Sequence, residues 1–208
     1  MTDSVLRVED LGVSYGASEA VRKLDFDIKR GEFVAILGPS GCGKSSMLNV
    51  ISGLNAPSRG RVWVEGAELF TAASKAPRLG YVFQSHRLLP WRTVRQNLEI
   101  ALLASSVPKA EWEAKIDEIL GILHIRQFKD AWPMRLSGGQ RQRVSIARAL
   151  VVDPSYILMD EPLSTLDEVT ARSLRQELTG IVQRTGVTVI FVTHSIREAV
   201  FLADRILI

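Results

Sequence analysis

Hydrophobic and polar residues alternate along two early segments of the chain, as they do in strands with one buried face. These segments are Leu6–Tyr15 and Val21–Ile28. Shorter, almost wholly apolar runs follow, and such runs are typical of strands buried on both faces of a parallel sheet. The clearest of them are Phe33–Leu37, Leu79–Phe83, Tyr156–Met159 and Thr188–Val192. The pattern therefore predicts an α/β protein in which a mostly parallel sheet lies beside an N-terminal antiparallel one.

Apolar residues at helical spacing predict helices between these strands. The predicted helices begin near Ser46 and then span Thr93–Ala104, Lys109–Leu123, Arg141–Leu150, Glu168–Arg184 and Ser195–Leu202. Two of them follow one another with no strand between, which interrupts the alternation of strand and helix. We therefore interpret residues 87–142 as an α-helical subdomain inserted into a single domain over residues 1–208. Residues 1–86 and 143–208 would form its core, and the chain stops within a further predicted strand, so we expect a truncated C-terminus.

One stretch after the strand Phe33–Leu37 carries the pattern G-x-x-x-x-G-K-[ST] of a phosphate-binding loop. It reads Gly38, Pro39, Ser40, Gly41, Cys42, Gly43, Lys44 and Ser45, with Ser46 opening the next helix. Glycines let backbone N–H groups turn towards an anion, and the helix N-terminus adds partial positive charge. Lys44 would reach the β- and γ-phosphates of a nucleotide, and Ser45 would offer its hydroxyl to Mg²⁺. A chance glycine turn is the alternative, but strand, loop and helix occur in the order that the motif requires.

Polar side chains stand at the ends of three other predicted strands, at the edge of the sheet where ligands bind in α/β proteins. They are Gln84, Asp160, Glu161 and His194. One carboxylate can hold Mg²⁺ while the other takes a proton from an attacking water. A solvated pair on a loop is the alternative for the carboxylates, and a lone histidine at a strand end is more often an ordinary structural residue.

A second glycine segment, Leu136–Gln140, precedes the predicted helix Arg141–Leu150. Serine and glycines before a helix make a second candidate anion site at a helix N-terminus. An ordinary capped helix explains the same composition equally well, so the residues alone leave both interpretations open.

The bulk properties of the chain exclude several classes of protein. Its 208 residues, of which 46% are hydrophobic and 24% charged, are those of a globular protein with a full core. No apolar run is long enough to span a membrane, and no secretory signal opens the chain. The single cysteine excludes an internal disulfide and fits a reducing compartment. The net charge of +3 is spread out, which favours a solvated surface over nucleic-acid binding.

These motifs occur in the order and spacing of one known family. Over nearly its whole length the chain resembles the nucleotide-binding subunit of an ATP-binding cassette (ABC) transporter. The five-residue segment Leu136–Gln140, read as Leu-Ser-Gly-Gly-Gln, is far more specific to that family than the phosphate loop. The resemblance implies a P-loop NTPase fold with a RecA-like core, ATP hydrolysis and Mg²⁺ as the cofactor.

The resemblance also implies roles that spacing alone does not show. Tyr15 matches an aromatic residue that stacks on adenine, although an ordinary aromatic at a strand end is the alternative. Gln84 matches a residue that touches Mg²⁺ and lies in a loop facing the membrane subunit. Asp160 would position Mg²⁺, Glu161 would act as the general base, and His194 would hold the γ-phosphate and the attacking water. Lys44 completes the catalytic set.

The resemblance further implies a head-to-tail dimer of two copies. ATP would lie between the phosphate loop of one copy and the second glycine segment of the other, and Asp167 would communicate across the dimer. The trans-acting residues would be Ser137, Gly138, Gly139 and Gln140. Two departures from the family pattern are Thr165, where alanine is common, and Ser195, where aspartate is common. Neither removes a catalytic group.

A finer resemblance concerns the segments Arg87–Trp91 and Ile196–Asp204, which are similar to those of bacterial importers for nitrate, sulfonate and taurine. This branch implies a separate membrane permease, which would dock near Gln84–Trp91, and a periplasmic solute-binding protein that acts indirectly. The subunit would lie peripherally at the cytoplasmic face of the inner membrane. The alternative for Trp91 is internal packing. Cys42 is interpreted as a small residue that fits the loop, and we expect its alkylation to block nucleotide by bulk.

Three rival functions remain at this point. The first is a soluble cassette ATPase that works on ribosomes or DNA, although such proteins usually carry two cassettes or long inserts. The second is a binding module that holds ATP without hydrolysing it, against which Glu161 and His194 argue. The third is the ATPase subunit of an exporter. The sequence does not identify the solute.

Overall fold

The computed structural model describes residues 4–39, 41–72 and 77–208. The strands are β1 (Ser4–Tyr15), β2 (Ser18–Lys29), β3 (Phe33–Leu37), β4 (Arg59–Val64), β5 (Ala67–Glu68), β6 (Leu79–Val82), β7 (Tyr156–Asp160), β8 (Thr188–Thr193) and β9 (Arg205–Leu207). The α-helices are α1 (Lys44–Ile51), α2 (Val94–Leu103), α3 (Trp112–Ile122), α4 (Gly138–Leu150), α5 (Glu168–Thr185) and α6 (Ile196–Leu202). Short 3₁₀ turns cover Lys109–Glu111, Arg126–Phe128 and Pro133–Arg135.

Two sheets organise these elements. The antiparallel sheet has the order β2-β1-β4-β5, and the other has the order β6-β7-β8-β3-β9 with every strand pair parallel. The predicted α/β fold, with a parallel sheet, an antiparallel β part and a helical part, is therefore confirmed. Because the strands of the second sheet are parallel, the segments that follow β3, β6, β7 and β8 all leave from one edge.

The parallel sheet separates two hydrophobic cores. Alternate residues of its strands face opposite ways: Leu158 and Ile190 join the core with α1 and the antiparallel sheet, while Met159 and Phe191 join the core with the other helices. Both faces of the sheet are therefore buried, which is why its strands are apolar at successive positions. The sheet edge that carries the polar side chains therefore adjoins two buried hydrophobic cores.

Some helices begin at other residues than the pattern predicts. The helix α1 begins at Lys44 rather than near Ser46. The helix α4 begins at Gly138 rather than Arg141, because Ser137 and Gln140 form a capping box that lets the glycines enter the first turn. Before α3, residues Lys109–Glu111 form a 3₁₀ turn instead of the first α-helical turn.

The helical part between β6 and β7 contains α2, α3 and α4. The helix α4 runs unbroken across residue 142 and packs on β6, where a Cβ on Gly80 would lie only 2.4 Å from the carbonyl oxygen of Ala149. The glycine therefore allows the closest approach of this helix to the sheet. The proposed division of the chain at residues 142 and 143, and the truncated C-terminus, stay predictions.

Candidate nucleotide site

The phosphate loop joins β3 to α1 and contains glycines that no other residue can easily replace. The φ angles of Gly41 and Gly43 are +83° and +97°, in the left-handed region that side chains rarely adopt. A Cβ on Gly43 would also lie 2.3 Å from the carbonyl oxygen of Ala20, so the loop packs directly on β2. This backbone forms a tight cradle of the kind that accommodates phosphate. Ser40 lies outside the described residues.

Lys44 is the cation of this cradle. The side chain is nearly buried, at 9% exposure, and its ammonium donates to the carbonyl oxygens of Gly38 at 2.8 Å and Pro39 at 2.6 Å. The sulfur of Cys42 lies 3.8 Å from the same ammonium, and this thiol is exposed and free. The ammonium is thus held inside the loop, where it can neutralise the charge of a bound phosphate.

Asp160 ends β7 next to the phosphate loop. Burial raises the pKa of the Asp160 carboxyl, and the charge of Glu161 raises it further, while Lys44 and a hydrogen bond with Ser45 act in the opposite direction. The Ser45 hydroxyl and the Asp160 carboxylate are therefore adjacent, and Ser46 follows in the first turn of α1. Hard oxygen donors beside a phosphate cradle suit Mg²⁺, which usually shares its coordination with phosphate oxygens and water. These residues fit that ion.

Glu161 and His194, two of the predicted site residues, are in direct contact. Their Oε2 and Nδ1 atoms lie 3.1 Å apart, with the glutamate side chain largely buried and the histidine ring half exposed. The φ angle of Glu161 is +44°, which is unusual for a residue with a side chain, and its N–H donates to the carbonyl oxygen of Val192 at 2.9 Å. Such backbone strain occurs at functional sites, where the surrounding structure holds it in place.

A further residue links this pair to Gln84. The Ser164 hydroxyl donates to the carbonyl oxygen of Glu161 at 2.9 Å, and the Gln84 amide donates to the Ser164 hydroxyl at 3.4 Å. The structure thus brings Gln84 to the neighbourhood of Glu161. The sequence predicted a turn at Ser164 but not its contact with Gln84, because a local pattern cannot indicate a contact between residues 80 positions apart.

Tyr15 lies at the end of β1 with 51% of its surface exposed. The hairpin that it enters continues into β2, whose Ala20 contacts the phosphate loop at Gly43. The ring therefore belongs to the hairpin that packs on the phosphate loop, and an exposed aromatic ring is able to stack on a nucleotide base. Adenine stacking by Tyr15 stays a prediction.

The second glycine segment lies at the start of α4. The Ser137 hydroxyl accepts from the N–H of Gln140 at 3.3 Å, and the Gln140 side chain accepts from the N–H of Ser137 at 2.8 Å. Gly138 and Gly139 follow in the first turn, where a Cβ on Gly139 would lie 2.6 Å from the Thr170 methyl group. Across the described part of the chain, no hydrogen bond or ion pair joins this segment to the phosphate loop or to Glu161.

Asp167 and Ser195 act as helix N-caps. The Asp167 carboxylate accepts from the N–H of Thr170 at 3.0 Å and from its hydroxyl at 2.7 Å, and these bonds hold the pKa of Asp167 below its usual range. Ser195 caps α6 by accepting from the N–H of Glu198 at 3.4 Å. Serine at position 195 therefore fixes the turn that carries His194, which the sequence had not indicated.

Comparison with known proteins agrees with a nucleotide site at this position. A family described as "ABC transporter" matches residues 21–164, which is more than half of the chain. The chain belongs to the ABC transporter family. Within the described residues, no helix of this cassette is long and apolar enough to cross a membrane.

Relatives of the cassette include subunits of importers. It is 40% identical to the sulfate/thiosulfate import ATP-binding protein CysA of Thermosynechococcus vestitus, over 98% of this chain and 60% of that protein. It is 43% identical to the nitrate import ATP-binding protein NrtC of Synechocystis sp., over 90% of this chain and 28% of that protein. The chain spans 54% to 60% of the length of the first curated relatives that it matches.

A solved structure is similar over almost the whole cassette. It is the dimeric, post-hydrolysis ATP-binding cassette MJ0796 bound to ADP and Pi. Its TM-score is 0.82 at 34% identity, with 97% of this chain and 92% of that chain covered. That likeness concerns both the fold and the family.

Proposed function

We propose that this cassette is the ATP-hydrolysing subunit of an importer that drives uptake of a small solute across a bacterial inner membrane. The observation that carries the proposal is the pairing of Glu161 with His194, 3.1 Å apart, at the sheet edge that also carries Lys44 and the phosphate loop. A site that only bound ATP would not need a carboxylate held in a strained backbone beside a histidine.

The cassette's own residues divide the work of phosphoryl transfer. Lys44 and the loop N–H groups hold the β- and γ-phosphates, and Tyr15 stacks on the base. Glu161 takes a proton from the attacking water, while His194 holds that water and the γ-phosphate in line. Bound Mg²⁺, held by Ser45, Gln84 and Asp160, would neutralise charge on the phosphate oxygens.

A second copy of the chain completes this site. Ser137 and the N-terminus of α4 offer a helix-terminus anion site in addition to the phosphate loop before α1. In a head-to-tail dimer the residues Ser137, Gly138, Gly139 and Gln140 face the γ-phosphate bound by the partner. The similarity to the dimeric cassette MJ0796, whose structure contains ADP and Pi, supports this arrangement.

A membrane permease docks beside the Gln84–Trp91 loop. Trp91 is 66% exposed, which supports docking over internal packing. Next to the loop, a cleft of about 610 Å³ separates β6 from α2. Its lining includes the stacked rings of Tyr81 and Phe83, 4.0 Å apart, and the Arg87 guanidinium, which lies over the Phe83 ring at 4.2 Å. A helix with an apolar face and an acidic side chain fits such a cleft.

The solute belongs to the class of nitrate, sulfonate and taurine. The segment Arg87–Trp91 and the likeness to the nitrate import protein support this class. The cassette then lies peripherally on the cytoplasmic face of the membrane, with a solute-binding protein acting through the permease. A ribosome- or DNA-associated ATPase and an exporter subunit are the rival functions.

Affinity purification of the tagged subunit from detergent-solubilised membranes tests the proposal. We expect a protein with several membrane spans to co-purify, and MgATP-dependent phosphate release from the complex. Trp91→Ala should weaken the association, whereas Phe201→Ala removes an exposed aromatic ring from α6, which packs on β3 and β8, and should not. Recovery of ribosomes or nucleic acid instead of a permease would favour the soluble ATPase.

A further inference from the structure

A buried arginine lies between α5 and α6, behind the catalytic edge. Arg175 is only 5% exposed, and a buried guanidinium is stable only when its charge is paired. Its Nη2 atom donates to the Glu168 carboxylate at 2.8 Å, and its Nη1 atom lies 4.0 Å from the Glu198 carboxylate. The arginine thus connects the start of α5 to the first turn of α6.

The Glu198 carboxylate continues this connection to the histidine. It accepts a hydrogen bond of 2.6 Å from the Thr193 hydroxyl, and that hydroxyl accepts from the N–H of Ser195 at 3.0 Å. Thr193 and Ser195 are the two chain neighbours of His194. The backbone on both sides of His194 is therefore held by one buried hydroxyl, which is itself held by Glu198.

Glu168, the carboxylate that pairs with Arg175, is the chain neighbour of Asp167. Glu168 is the first residue of α5, and Asp167 caps that helix. Arg197 in the first turn of α6 also donates to the Glu168 carboxylate, at 3.3 Å. The segment that carries Asp167 and the turn that carries His194 are thus joined by Arg175 and by two carboxylates.

We propose that Arg175 and Glu198 are positioning residues that hold His194 against Glu161 and link its turn to Asp167. Both residues would act on His194 through the hydrogen bonds and ion pairs described above, so we class them as positioning residues and not as catalytic ones. A misplacement of about 1 Å at a reacting group can lower a rate by roughly 100-fold. The kinetic part of this proposal rests on the proposed ATPase function.

Phosphate release by the full chain, with kcat and KM for MgATP measured separately, tests the positioning role. Glu198→Ala should lower kcat by about tenfold or more and leave KM nearly unchanged, since a displaced His194 affects the reaction rather than phosphate binding. Glu198→Gln keeps an oxygen that accepts from Thr193 but loses the charge that faces Arg175, so it should recover part of kcat. Equal losses in both variants, or a change in KM alone, would overturn the proposal.

Two further variants separate positioning from general stability. Glu177→Ala is the matched control, because it also removes a largely buried carboxylate that pairs with an arginine, here Arg143 at 2.7 Å, but on α5 rather than in the first turn of α6. It should leave kcat unchanged. Thr193→Val keeps the shape of the side chain but removes the hydroxyl, and should reproduce the kcat loss of Glu198→Ala even where the latter folds poorly.

A double-mutant cycle tests whether Glu198 acts through His194. If it does, Glu198→Ala should cause no further loss of kcat in the His194→Ala background, because coupled residues are not additive. Losses that add would contradict the proposal.

A readout that does not depend on activity keeps this proposal distinct from the ATPase proposal. The chain has three histidines, so the NMR signal of the His194 ring can be assigned with one substitution. Glu198→Ala should shift that signal and leave those of His86 and His124 in place, and Glu177→Ala should shift none. An unmoved His194 signal would overturn positioning, whereas a wild-type chain that releases no phosphate would overturn only the ATPase assignment.

Discussion

The side chains of Glu161 and His194 meet at the end of the parallel sheet, with Oε2 and Nδ1 3.1 Å apart, although 33 residues separate them in the chain. Neighbouring strands bring them together, since β7 and β8 pair in parallel and both end at this edge. The N–H of Glu161 bonds to the carbonyl oxygen of Val192, so the two strand ends are also tied directly to each other.

Replacing Glu161 with glutamine tests its proposed role as the general base. Glutamine keeps the size of the side chain but cannot take a proton, so ATP should still bind and trap a closed dimer. Phosphate release should fall by at least about 100-fold, in line with the usual contribution of a general base. Size-exclusion chromatography with ATP and a phosphate assay measure the two effects. Glu177→Gln serves as the control, and unchanged turnover in Glu161→Gln would contradict the assignment.

Two glycines of the phosphate loop offer a matched comparison. Both Gly41→Ala and Gly43→Ala force a side chain into positive φ, at a cost of about 1–3 kcal/mol. Only Gly43 also faces a clash, since its Cβ would lie 2.3 Å from Ala20, whereas nothing lies within 4 Å of a Cβ on Gly41. Gly43→Ala should therefore be the more destabilising in denaturant unfolding, and the more damaging to ATP affinity in calorimetry. Equal effects would show that the close contact with β2 is unimportant.

Tyr15 offers a test of base stacking. Removing the ring in Tyr15→Ala should weaken ATP binding by about 1–3 kcal/mol, the usual contribution of one base stacked on one aromatic side chain. Tyr15→Phe keeps the ring and should bind as the wild type does. Titration calorimetry with ATP and with inorganic triphosphate separates the base from the phosphates, and an equal loss for both ligands would argue against stacking.

The pH dependence of stability should reflect Asp117, on α3. A hydrogen bond from Lys129, and another from Arg126, hold the pKa of Asp117 below its ordinary value of 3.8. The unfolded chain therefore binds the proton more readily, so this stabilisation is present above pH 3.8 and is lost as the pH falls through the folded pKa. Asp117→Asn should lower stability at neutral pH and reduce its loss on acidification. Thermal unfolding from pH 7 to pH 3 measures this, with Glu118→Gln as the control. A parallel acid dependence in Asp117→Asn and the wild type would rule out this contribution.

Local pattern predicted much of the site because its motifs are short segments tied to strand ends. The phosphate loop needs glycines within a few residues of Lys44, and the carboxylates Asp160 and Glu161 are adjacent in the chain. The start of α4 was placed three residues late, because the capping box of Ser137 and Gln140 draws the two glycines into the helix. Glycines are poor helix formers by propensity, and here the cap outweighs that preference.

The sequence by itself determined the α/β class, the phosphate loop and the polar residues at the strand ends, since each depends on residue types at fixed local spacing. Only the tertiary structure decided the strand order β6-β7-β8-β3-β9, and with it the contacts of Glu161 with His194 and of Gln84 with Ser164. It also decided that Arg175 is buried between two carboxylates. The physical reason is that the spacing of hydrophobic residues indicates only which face of a helix or strand is buried. Which elements become neighbours depends on long-range packing, which no local spacing encodes.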